Sequence, residues 1–118
     1  EATLGQVPGA GGTQRLTRLC GRGVASGIIL GVEVVDGAVA AEFGIVNKAV
    51  PLDQLDAEGA RLAAHVAQYP AATLAASKAC IQAQSDPEVN GFELEVIRNR
   101  ALLETPETAA LVAAFFKR

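Results

Sequence analysis

Glu1-Ala2-Thr3-Leu4-Gly5-Gln6-Val7-Pro8-Gly9-Ala10-Gly11-Gly12-Thr13-Gln14-Arg15-Leu16 opens the chain. The stretch sets a carboxylate, a glycine-rich turn and a helix start within a few residues, so an acid group and backbone N–H donors can face one small volume. The first amides of a helix have no intrahelical partner, and the helix dipole favours a negative or polarised oxygen there. From the chemistry alone two readings stay open: a binding site for such an oxygen, or a structural turn. Taken alone, Glu1 reads as a solvated surface acid.

Nucleotide readings of the glycines fail on spacing. A phosphate-binding loop needs G-x-x-x-x-G-K-[ST], yet five residues after Gly5 stands Ala10, and five after Gly9 stands Gln14. The run Gly9 to Gln14 lacks the third glycine of a dinucleotide fingerprint, and no strand of ordinary length precedes Gly21-Arg22-Gly23. Arg15, Arg18 and Arg22 share a helical face, which reads as solvated or salt-bridged.

Composition narrows the function classes. The 118 residues can form a domain with a core, but 50% apolar and 4% aromatic content makes that core mostly small aliphatics on alanine-rich helices. A net charge of −3, with basic residues scattered, argues against nucleic acid as a partner. No apolar run approaches the ~20 residues that cross a bilayer, and no basic cluster suits a membrane surface, so a soluble protein is expected. Cys20 and Cys80 are isolated, which predicts free thiols in a reducing cytoplasm. With a single histidine, His65, at the border of an apolar helix stripe, no metal site is expected. The absence of Met and of a leader pattern predicts that the chain is a piece of something longer.

A helix is expected over Thr13–Leu19, ended by Gly21-Arg22-Gly23, and another over Val24–Leu30, stopped by Gly31. Asp36 reads as an N-cap for Gly37–Phe43, with Gly44 free to take the left-handed conformation that closes a helix. Ile45–Val50 reads as a short strand halted by Pro51. Beyond it, Leu52, Leu55, Gly59, Leu62, Val66 and Tyr69 fall on one helical stripe that Pro70 ends. An alanine-rich helix follows over Ala71–Gln84. Asp86-Pro87-Glu88 and Thr105-Pro106-Glu107 carry helix-start chemistry. Val89, Phe92, Val96 and Leu103 share one face of the fifth helix, and Leu94 and Ile97 lie off it, so more than one side of this helix is expected to be buried. Leu111, Val112, Phe115 and Phe116 give the last helix an apolar surface, and Lys117-Arg118 complement its negative end. The break near Pro51 divides a site-bearing part, residues 1–51, from a helical part, residues 52–118.

The opening run Glu1–Leu16 closely resembles the P-E-x-x-L-G-x-x-P-G-x-G-G-T-Q-R-L signature of the enoyl-CoA hydratase/isomerase, or crotonase, family, without the preceding proline. Gly44-Ile45-Val46-Asn47-Lys48-Ala49-Val50-Pro51 is similar to the family's G-L-V-N-x-V-V-P segment. The resemblance implies a mainly α chain with one or two short strands. It would be the C-terminal half of a crotonase-like α/β spiral followed by a helical region that builds homotrimers or hexamers.

The resemblance also implies an enzyme, a lyase of fatty-acid or related acyl-CoA metabolism that adds water to a 2-enoyl-CoA. No cofactor is implied beyond the coenzyme A of the thioester substrate. Glu1 matches the glutamate of acid/base proton transfer, and Gly9 matches the glycine whose N–H holds the reacting water. A second glutamate, from a G-G-G-x-E-L segment, and the oxyanion donors belong to upstream elements, so these residues alone are expected to be inactive. Lys117 falls on a basic position that reaches a neighbouring subunit's CoA in some relatives. Ala114 stands where an aromatic is usual, and Val39 where an acid is usual. The alternatives are a Δ3,Δ2-enoyl-CoA isomerase, which shuttles a proton with one glutamate at this position, and a non-catalytic helical oligomerisation module.

Overall fold

The computed structural model describes residues 1–117, and Arg118 lies outside them. The chain divides into two compact units, Glu1–Glu58 and Gly59–Arg118. In the first, a 3-10 turn over Ala2–Leu4 precedes α1 (Gly12–Ile29) and α2 (Gly37–Glu42). α1 is broken at Gly21, whose φ of 77° and ψ of 166° are not helical, so the expected pair of short helices forms, with the break at the glycine expected to make it. Its end is closed by a double bond pattern: Val32 N–H donates to Gly27 O at 2.9 Å and Gly31 N–H to Ile28 O at 3.1 Å.

Asp36 caps α2, its Oδ1 accepting from Val39 N–H at 2.9 Å. At the other end Gly44 takes a φ of 72°, a left-handed conformation that a Cβ would disfavour. Gly44 N–H then reaches Ala41 O at 3.1 Å and Ile45 N–H reaches Ala40 O at 2.9 Å. The same closure accounts for the strand expected at Ile45–Val50, which does not form. The Ile45 and Val46 amides both turn back to Ala40 O, at 2.9 and 3.3 Å, so they are taken by the helix end rather than offered to a neighbouring strand. No strand occurs among the described residues, and the mainly helical character stands. Lys48 Nζ meets Glu58 Oε1 at 2.8 Å, tying the loop before Pro51 to the start of α3 (Leu55–Val66).

In the second unit α4 (Ala71–Ala83) packs on α5 (Gly91–Leu103), and α5 meets α6 (Pro106–Phe115). α5 starts later than Asp86-Pro87-Glu88 suggests. Asn90 Oδ1 is the cap, accepting from Phe92 and Glu93 N–H at 3.2 and 3.3 Å. Asp86 instead closes a tight turn, its Oδ1 accepting from Glu88 N–H at 3.0 Å and its carbonyl from Val89 N–H at 3.2 Å. Asp followed by Pro serves the first two positions of a β-turn as well as a helix start, and the turn wins here. Thr105 caps α6 as expected, accepting from Thr108 N–H at 3.2 Å.

The buried side of α5 also differs from the expected stripe. Phe92 is 85% exposed and Val96 and Leu103 are exposed too, whereas Leu94 and Leu102 are half-buried. The small face of α4 decides this. A Cβ at Gly91 would lie 3.9 Å from that of Ala83 where the two helices meet, and further along, Ala72, Ala75, Ala76 and Ala79 of α4 share a groove with Ala101 and Leu102 of α5 rather than with the bulkier stripe. Buried apolar side chains among the described residues are Ala25 and Ala83, while Leu52 and Phe116 stand 86% and 81% exposed. The elements are therefore held by caps and glycine closures, and their large apolar faces are left as surface of the kind that other polypeptide covers.

Candidate functional site

The opening segment folds back on itself. Glu1 O accepts from Leu4 N–H at 2.9 Å and Gln6 N–H at 3.1 Å, and Gly5, at a φ of 68°, donates to Ala2 O at 3.0 Å. This reversal brings Pro8 beneath the helix start. A Cβ on Gly12 would fall 2.7 Å from Pro8 Cβ, so the glycine at the first position of α1 is required by contact. Gly11, the N-cap, has a φ of 85°, and no side chain caps the helix. That leaves the positive end of α1 without a local acceptor from its N-cap.

Arg15 completes the turn. Its main-chain N–H donates to Gly11 O at 3.0 Å, and its Nη2 donates to Ala10 O. The guanidinium lies over Gly11, where a Cβ would stand 2.8 Å from Nη1. Arg15 is exposed, as expected of a solvated face, and no acidic partner of it occurs among the described residues; its contact with the preceding loop is what spacing does not announce. The signal that spacing leaves out is direction. Helix side chains lean toward the N-terminus, so a long basic residue one turn into α1 reaches the loop that precedes it.

These groups surround a cavity of ≈ 430 Å³ lined by Glu1, Thr3, Pro8, Gly12 and Arg15, with Leu16, Leu19, Ile28 and Ile29 as apolar wall. A carboxyl group, a guanidinium and a helix start therefore meet at one mostly apolar space, which suits a ligand with an acyl part and a polarised oxygen. Gly9 sits on the same glycine turn but does not line the cavity. Lys117 belongs to the other unit and is exposed just past α6. Cys20 and Cys80 are free thiols, and Cys20 Sγ donates to Leu16 O at 3.1 Å. No group of three or more His, Cys, Asp or Glu among the described residues is placed to hold a metal, and no helix is long and apolar enough to cross a membrane.

The opening motif, its fold-back turn and the helix behind it all fall within the residues 1–112 that match the family model described as enoyl-CoA hydratase/isomerase. The chain belongs to this family. It is 38% identical over 96 residues to a short-chain-enoyl-CoA hydratase of Clostridioides difficile, covering 80% of this chain and 62% of that protein. A probable mitochondrial enoyl-CoA hydratase 2 of Arabidopsis thaliana is 33% identical, with all of this chain and 40% of the relative aligned. Among solved structures, an enoyl-CoA hydratase subunit of Geobacillus kaustophilus superposes with a TM-score of 0.86 at 34% identity, covering 99% of this chain and 46% of that one. The chain thus spans less than two thirds of each of these relatives, and it carries the crotonase fold over that span.

Proposed function

We propose that the chain carries the proton-donating arm of an enoyl-CoA hydratase, with Glu1 as the acid and a 2-enoyl-CoA as substrate. The observation that carries this reading is that Glu1 lines the same cavity as Gly12, the first residue of α1. In the reaction the oxygen of water bonds to the β-carbon while electrons shift onto the thioester oxygen. Glu1 then delivers a proton to the α-carbon as the carbonyl re-forms, and a second carboxylate takes the proton that water gives up. Gly9 N–H holds the water. The second carboxylate and the oxyanion donors come from the G-G-G-x-E-L region and other upstream elements that the family resemblance implies. Coenzyme A is the handle of the substrate, and no further cofactor takes part.

The relatives' hydratase names support this reading, as does the pairing of a carboxyl group with apolar walls around one cavity. Replacing Glu1 by Gln in the intact protein should slow crotonyl-CoA hydration by roughly the 10²–10⁴ typical of a general acid. Hydration at the unaltered rate would refute the role.

A Δ3,Δ2-isomerase is the second reading, favoured by one fact: Glu1 is the only acidic side chain lining the cavity among the described residues. Isomerisation moves one proton between two carbons and needs one carboxylate. Offering the intact protein a 3-enoyl-CoA and crotonyl-CoA in parallel separates the two.

The protein is proposed to work in the cytoplasm as a homotrimer or hexamer, with exposed Phe92, Phe115 and Phe116 as surface for subunit contact and Lys117 near a neighbouring subunit's CoA. Free Cys20 and Cys80 suit a reducing compartment. Sedimentation of the 118-residue chain alone tests the module reading, in which it assembles without activity.

A further inference from the structure

We infer that Arg15 is a positioning residue for the water-holding arm of the site, an inference that rests on the hydratase reading above. Two arms of the opening segment are fixed by different bonds. Glu1 is held by its own 3-10 turn, through the Leu4 and Gln6 amides at 2.9 and 3.1 Å from its carbonyl. Residues 9–11 form a turn of their own, but it carries no backbone bond of comparable geometry. Its Ala10 carbonyl is taken by Arg15 Nη2, its Gly11 carbonyl by Arg15 N–H at 3.0 Å, and its Gly12 Cα packs on Pro8.

The Gly11 bond is the ordinary main-chain bond of the first helical turn and survives Arg15→Ala; the guanidinium adds the bond to Ala10 O, and the peptide groups on either side of that carbonyl turn with it. A guanidinium is suited to this, because its donors are fixed in a planar fork. The guanidinium is exposed, has no acidic partner among the described residues, and meets the Ala10 carbonyl beside the cavity it lines. Loss of the guanidinium frees Ala10 O and lets the Gly9 amide drift, while the Glu1 turn keeps its bonds. Water placement suffers and proton transfer at the α-carbon does not.

The test compares two reactions of the intact protein: crotonyl-CoA hydration, which needs both arms, and exchange of the α-proton of butyryl-CoA in deuterated water, which needs Glu1 and the oxyanion donors but not the water-holding arm. Arg15→Ala should lower hydration about tenfold more than exchange, the scale on which small misplacement of a reactant costs rate. A purely structural defect lowers both by the same factor, and that result, or no loss in either, overturns the inference. If R15A does not fold, R15K keeps the charge without the fork and is read by the same ratio. A wild-type protein that exchanges the α-proton but does not hydrate crotonyl-CoA defeats the hydratase reading itself, and the inference falls with it.

Discussion

Gly12 rests on Pro8 so closely that a Cβ at Gly12 would stand 2.7 Å from the proline Cβ. The neighbour is a ring bonded into the backbone, so it cannot swing aside as the end of a flexible side chain would. Gly12→Ala in the intact protein should therefore cost roughly the 1–3 kcal/mol of an overpacked contact, measured as a lower denaturation midpoint. It should also lower activity, because relief of the clash moves the turn that carries Gly9. A midpoint and turnover equal to the wild type would show that this contact is not a constraint.

Gly21 and Gly23 form a matched pair of substitutions two residues apart. A Cβ added at either would meet no atom within 4 Å, but Gly21 has a φ of 77° and Gly23 does not lie in the left-handed region. Gly21→Ala should destabilise, by more than about 0.4–1 kcal/mol, whereas Gly23→Ala should stabilise by about that amount through the unfolded chain. Equal effects in chemical denaturation would mean that α1 runs unbroken through Gly21.

Asn90 and Asp86 compete for the start of α5, and the bonds assign the cap to Asn90. Asn90→Ala should cost about 1 kcal/mol of stability, and Asp86→Ala less, since Asp86 closes a turn rather than a helix end. The reverse order of the two denaturation midpoints would return the helix start to Asp86.

Much of the fold is legible in the sequence because the signals are local. Asp36, Gly44 and Thr105 announce their caps by residue type and offset alone, and the structure makes each of those bonds. Ile45–Val50 misleads for the opposite reason. Its apolar run is consistent with a strand, but a strand needs a partner, and the Schellman-type closure at Gly44 uses the Ile45 and Val46 amides first. The face of α5 misleads because periodicity reports which side chains align, not which neighbour comes nearest. Leu102 lies beside the alanines of α4, and Phe92 is left in solvent. At the candidate site, Glu1 and the glycine turn are readable from the motif, whereas the reach of Arg15 over Gly11 depends on a side-chain direction that no spacing pattern encodes.

Glu1 is proposed to move the proton at the carbon beside the thioester, and α-proton exchange in butyryl-CoA reads that step without the addition of water. In deuterated water the intact protein should exchange this proton, and Glu1→Gln should slow the exchange by about 10²–10⁴. Exchange at the same rate in wild type and E1Q would contradict that role.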